Sequence, residues 1–121
     1  MTLDGPRRRV LLVEDETIIA MMMEDMLAEL GYDVAETAGQ IESARRAAEG
    51  GAFDLAILDV NLGGDSTYPI AEILQSRRIP FVFSTGYDSE GVEPRYAETP
   101  RLQKPFEYED LRAVMSRIFP A

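Results

Sequence analysis

The chain has 121 residues, enough for one domain. It carries 12 Lys and Arg against 22 Asp and Glu, a net charge of −10, which disfavours nucleic acid and anionic membrane surfaces as partners. It has neither Cys nor His, which excludes disulfides, thiolate zinc sites, thiol catalysis, Ser-His-Asp triads and a phosphohistidine on the chain itself. Residues 1–7 (MTLDGPR) read as a flexible tail ahead of a domain at 8–121. Arg7-Arg8-Arg9 has the look of an export signal, but the apolar run 10–13 stops at Glu14-Asp15-Glu16, too soon for a signal peptide. The run 18–23 is too short to span a bilayer, so a cytoplasmic location is expected.

Residues 9–14 predict a buried strand. Residues 16–30 predict a helix with Ile19, Met22, Met23, Met26, Leu27 and Leu30 inward, its methionines in the core, and Gly31 as its stop. Residues 33–36 predict a weak strand. Residues 40–49 predict a helix packed through Ile41, Ala44 and Ala48 and ended by Gly50-Gly51. Residues 53–58 predict a central strand, followed by Asp59-Val60-Asn61 and a Gly63-Gly64 turn. Residues 68–78 predict a third helix and 80–84 a fourth strand. Residues 86–100 hold two Gly and two Pro, and predict at most a short helix and the least ordered segment apart from the tail, with Val92 and Tyr96 as its chief anchors. Residues 102–103 predict a short fifth strand, and 107–119 a last helix with Leu111, Val114, Met115 and Ile118 inward. Strands alternating with helices in this way predict a parallel sheet covered on both faces, with its ligand site at the carboxyl ends of the strands.

Polar residues fall where those strands end. Glu14 and Asp15 follow the first, Asp59 the third, Thr85 the fourth and Lys104 the fifth. In a parallel sheet they share one edge. Three carboxylates that close repel one another and call for a cation. An oxygen-only donor set selects a hard one, Mg²⁺, with waters completing six-fold coordination. A hydroxyl and an ammonium beside a metal-held carboxylate suit a phosphoryl group. Taken singly, Asp15 reads as a helix cap, Asp59 as a turn residue and Thr85 as an ordinary strand residue. Their convergence on one edge outweighs those readings. Lys104 is the only Lys beside eleven Arg. An Arg-biased composition explains the ratio but not the position, and a compact ammonium is not interchangeable with a planar guanidinium.

The motifs VLLVEDE, LAILDVNLGG, FVFSTGY and LQKPF resemble, in order and spacing, the receiver domain of two-component response regulators over residues 8–119. FSTGY and the stretch after it are similar to a receiver subgroup with an F-A-T-G-x-Y-type motif. The resemblance implies a flavodoxin-like (βα)5 fold, a doubly wound sheet of order 2-1-3-4-5 whose fourth helix is short or mobile. It implies that Asp59 is the phosphoacceptor. It makes Asp15 a direct metal ligand, Glu14 a ligand mostly through water, and the backbone carbonyl of Asn61 a further ligand. Thr85 becomes the conformational-switch hydroxyl, and Lys104 the lysine that pairs with the phosphoryl group, followed by a cis bond to Pro105. Arg101 stands where the family usually has a Tyr or Phe that reports phosphorylation. A guanidinium there is expected to face solvent or pair with an acid such as Glu98. The signal is then expected in the loop after the fourth strand, with Tyr87 as a reporter.

The implied function is that of a single-domain response regulator. A histidine kinase or histidine phosphotransfer protein presents phosphohistidine, Asp59 takes the phosphoryl group with Mg²⁺, and water later hydrolyses the aspartyl phosphate. Such a domain catalyses only its own modification and is no enzyme in the turnover sense. Its output is expected through a downstream protein partner, or as a phosphate sink or shuttle. Three alternatives stand beside this. A phosphorylation-independent receiver-like module would be expected to have a damaged site. An aspartate-nucleophile phosphatase would need a carboxylate two positions past the nucleophile, where this chain has Asn61. The chain is otherwise a receiver domain cut from a larger multidomain regulator.

Overall fold

A computed structural model describes residues 7–86 and 92–119. The expected tail lies, apart from the exposed Arg7, outside the described residues, as does Tyr87. Five strands form one parallel sheet: β1 (Arg9–Val13), β2 (Asp33–Ala38), β3 (Leu55–Asp59), β4 (Phe81–Thr85) and β5 (Arg101–Gln103). Their order is β2-β1-β3-β4-β5, the flavodoxin-like order expected from the sequence. Four helices cover it: α1 (Thr17–Glu29), α2 (Ile41–Gly50), α3 (Tyr68–Ser76) and α4 (Tyr108–Ile118). Every residue of β3 and β4 is buried, which is why both read as near-continuous apolar runs. Strand alternation divides the core. Leu11, Ala56, Leu58 and Phe83 face α2 and α3, while Leu12, Ile57, Val82 and Leu102 face α1 and α4.

The helices end for local reasons. Gly31, at φ +95°, closes α1: its N–H donates to Ala28 O and that of Tyr32 to Leu27 O, satisfying two carbonyls the helix leaves open. At α4 the Glu107 N–H donates to the Asp110 carboxylate at 2.8 Å, one half of a reciprocal cap in which the Glu107 side chain accepts from the Asp110 backbone. After β3 the chain turns back on itself. Asn61–Leu62 pairs antiparallel with Asp65–Ser66 around Gly63 and Gly64, at φ +58° and +93°.

The structure departs from expectation at α1. Its buried residues are Ala20, Met23 and Leu27; Ile19, Met26 and Leu30 only flank that core. Met22 is 50% exposed rather than part of the core. A helix turning 100° per residue carries Met22 well away from the line through Ala20, Met23 and Leu27, and the small Ala20 lets α1 lie close to the sheet. Gly50 ends inside α2 rather than stopping it. Between β4 and β5 the described residues hold one 3₁₀ turn, Pro94–Tyr96, so no full helix forms over 92–100. Tyr96 anchors that turn as expected. It is 2% exposed, stacks on Tyr68 with centroids 5.4 Å apart, and meets Phe83 edge-on at 5.3 Å.

Candidate functional site at the carboxyl edge of the sheet

Glu14 directly follows β1, Asp59 ends β3, Thr85 ends β4, and Lys104 directly follows β5. Parallel pairing therefore delivers all four to one edge. Carboxylate oxygens of Glu14, Asp15 and Asp59 lie within 4.8 Å of one another. Glu14 and Asp59 are buried, at 3% and 8% exposure, while Asp15 faces solvent. Asp15 does not cap α1; that position belongs to Glu16, which makes no side-chain cap. Instead Asp15 Oδ2 accepts from the Gly63 N–H at 3.0 Å, tying the site to the hairpin.

Lys104 bridges the acids. Its Nζ donates to Asp59 Oδ2 at 3.1 Å and lies 2.8 Å from Glu14 Oε1. The second contact is an ion pair at hydrogen-bond distance. Asp59 Oδ1 accepts from the Asn61 N–H at 3.2 Å, and Glu14 Oε2 from the Glu16 N–H at 3.0 Å. Burial pushes both carboxyls above their ordinary range, opposed by Lys104. For Lys104, burial is the largest single influence and pulls downward, but the two carboxylates together outweigh it and leave the ammonium raised.

A hard divalent cation fits this donor set. The donors are all oxygen, and the three clustered carboxylates face one ammonium, Lys104, which leaves negative charge for a cation to offset. Asn61 opens the hairpin, and its side chain is occupied there, accepting from the Gly64 N–H at 3.0 Å. Thr85 is buried at the edge, but its hydroxyl donates weakly to Leu102 O at 3.5 Å and bonds to neither Asp59 nor Lys104. The link between Thr85 and Lys104 is through the backbone, Lys104 N–H to Thr85 O at 2.8 Å. Lys104-Pro105 is cis. Arg101 is exposed, and among the described residues it forms no ion pair with Glu98.

Two contributors were not legible in the sequence. Thr67 is fully buried, and its hydroxyl donates to Asp59 O at 2.7 Å, pinning the chain just past the strand end. Gly63 supplies the N–H that holds Asp15. The Gly-Gly turn announced a reversal after β3, but not which residues the returning strand would meet.

The response regulator receiver domain model matches residues 10–116. The chain belongs to that family. Among curated relatives, the transcriptional regulatory protein PdtaR of Mycobacterium tuberculosis is 35% identical over 108 residues, 86% of this chain and 53% of PdtaR. This receiver thus spans about half the length of the curated relatives it matches. The solution structure of SdrG from Sphingomonas melonis Fr1 superposes with a TM-score of 0.83 at 42% identity, covering 91% of this chain and 94% of SdrG. The anti-anti-sigma factor PhyR of Bartonella quintana matches at TM-score 0.77 and 29% identity, over 94% of this receiver and 48% of PhyR. Receivers are signalling modules rather than turnover enzymes, and the acidic cluster here is the kind they use to bind Mg²⁺. Among the described residues no helix is long and apolar enough to cross a membrane.

Proposed function

We propose that this receiver accepts a phosphoryl group on Asp59 from the phosphohistidine of a histidine kinase or histidine phosphotransfer protein. The carrying observation is the placement of Asp59 between two kinds of charge. It shares a carboxylate cluster with Glu14 and Asp15, and Lys104 reaches it at 3.1 Å. Glu14, Asp15, Asp59 and the Asn61 carbonyl would hold Mg²⁺, which when bound supplies the positive charge that offsets the acids and the incoming phosphoryl oxygens. The Asp59 carboxylate attacks phosphorus in line. The P–O bond forms as the P–N bond of the donor breaks, and the electron pair leaves on the imidazole nitrogen. Lys104 moves its ammonium from the carboxylate toward the phosphoryl oxygens, and the Thr85 hydroxyl turns from Leu102 O to donate to them. Water later attacks the same phosphorus and returns the carboxylate.

The surroundings support a protein donor. A groove of about 490 Å³ beside Lys104 is lined by Ile19, Met22, Met23, Pro105 and Phe106, and Ile18 and Met21 on α1 are exposed as well. A donor that brings phosphorus to Asp59 must cover this edge, so the apolar surface is where it lands. Output passes to a downstream protein partner, or the domain serves as a phosphate sink or shuttle; the protein-partner reading is in keeping with the similarity to a PhyR named as an anti-anti-sigma factor. Incubation with a small acyl phosphate and Mg²⁺ should add one phosphate to the intact mass of wild type and none to Asp59→Asn. Equal labelling of that variant overturns the assignment.

A further inference from the structure

β4 presents Val82 and Ser84 to the α1 and α4 side of the sheet. Ser84 is 1% exposed, and its Oγ has no hydrogen-bond partner among the described residues. On β5 its register partner is Leu102, whose side chain offers no acceptor. On β3 its partner is Asp59. The alternation that sets Ile57 beside Val82 in one core cluster sets Asp59 beside Ser84. Lys104, starting beyond β5, reaches Asp59 on β3 and Glu14 past β1, so its stem crosses β4 on this same face. Ser84 therefore sits next to the Asp59–Lys104 pair with a donor unused. Neighbouring strands are about 4.8 Å apart, so rotation about one side-chain bond brings a serine hydroxyl toward the next strand.

We propose that Ser84 is a positioning residue acting through Asp59: its hydroxyl donates to the Asp59 carboxylate and so sets the balance between phosphorylation and dephosphorylation. The inference rests on Asp59 being the phosphoacceptor. Donation is strongest to the full carboxylate, weaker to the transition state, and weakest to the acyl phosphate, where the acyl oxygen carries no full charge. With an acyl phosphate as donor, the P–O bond to Asp59 forms as the P–O bond of the donor breaks, and the electron pair leaves on the donor's carboxylate. In hydrolysis the water oxygen bonds to phosphorus and the P–O bond to Asp59 breaks. The electron pair returns to Asp59, and the water proton ends on the released phosphate. Deleting the hydroxyl therefore raises the carboxylate that starts the first reaction more than its transition state, and raises the transition state of the second more than the acyl phosphate that starts it. Phosphorylation quickens and hydrolysis slows.

A loosened site would instead slow both reactions, which gives the test its discriminating readout. Wild type, Ser84→Ala, Ser84→Thr and Ser84→Val are treated with acetyl phosphate at saturating Mg²⁺. The labelling rate, the decay of the phosphoprotein and the melting temperature are then measured. Each of the pairs Ser/Ala and Thr/Val removes the hydroxyl at similar volume, so the second keeps the question open to refutation if one small variant folds poorly. The expected result is faster labelling and slower decay in Ala than in Ser and in Val than in Thr, with the ratio of the two rates shifted about five-fold. Rates that fall together, or that do not move, overturn the proposal while leaving Asp59 as acceptor. Failure to label wild-type Asp59 overturns the acceptor reading and this one with it.

Discussion

Asp59 is a buried acid whose ionisation the fold resists, since burial holds its carboxyl above the ordinary 3.8 even with Lys104 beside it. The folded state therefore binds a proton more readily than the unfolded chain. By linkage, the stability tied to that proton is present below the unfolded value and is lost as pH rises through the folded one. At neutral pH without metal, Asp59 is a net burden on the fold. Asp59→Asn is expected to melt above wild type at pH 7 in metal-free buffer, with the gap closing as pH falls toward about 4. Thermal scans across that range decide it; a gap that stays constant, or a lower melting temperature at pH 7, contradicts the burial argument. Lys104 keeps Glu14 as a partner in that variant, so its own charge is not stranded.

Single elements carry two further expectations. The 3₁₀ turn at Pro94–Tyr96 buries one ring among Tyr68, Phe81 and Phe83, and that ring's hydroxyl has no hydrogen-bond partner among the described residues. Tyr96→Phe should therefore be neutral or stabilising by up to about 1 kcal/mol, whereas Tyr96→Ala should cost about 3–5 kcal/mol. Urea titration measures both, and a costly Tyr96→Phe would mean that the hydroxyl is bonded. On α1, Met22→Glu should slow phosphoryl transfer from a protein donor about ten-fold or more while leaving labelling by a small acyl phosphate unchanged. Equal slowing with both donors would place Met22 in the chemistry and not in docking. Met22 is also where sequence periodicity misled. With Ile18 and Met21 included, the large apolar residues from Ile18 to Leu30 cover more than half the circumference of a helix, so spacing alone does not say which of them the sheet takes. The shorter patterns of α4 left no such choice, and Leu111, Val114 and Met115 are buried as read.

Across the whole molecule, a net charge of −10 makes the folded state self-repelling, with the sharpest repulsion where Glu14, Asp15 and Asp59 meet. Monovalent salt should raise the melting temperature of every variant alike. Mg²⁺ should add a further rise, about 2.7 kcal/mol at 100 times its dissociation constant, and Asp15→Asn should blunt only that increment. An unaltered Mg²⁺ response in Asp15→Asn, followed by calorimetry, would remove Asp15 from the metal site. The site was legible because a parallel sheet sends every strand's end to one edge, so polar residues closing apolar runs could be grouped without knowing any distance. Orientation was not legible. Thr85 sits where expected yet turns its hydroxyl to Leu102 O, and Ser84 looked like the tail of a strand until the register set it beside Asp59.

The ammonium that straddles β4 is also the only ε-amine in a chain otherwise supplied with arginine. Isotopic methylation directed at lysine would place a single side-chain label at the centre of the site, with no second lysine to confuse its resonance. Its side chain is only 15% exposed and its charge is held by two carboxylates, so the label would be slow to attach in the folded protein and quick in the unfolded one. One nucleus could then report cation entry, phosphoryl transfer to the neighbouring carboxylate and arrival of a partner, each as a distinct displacement of the same signal.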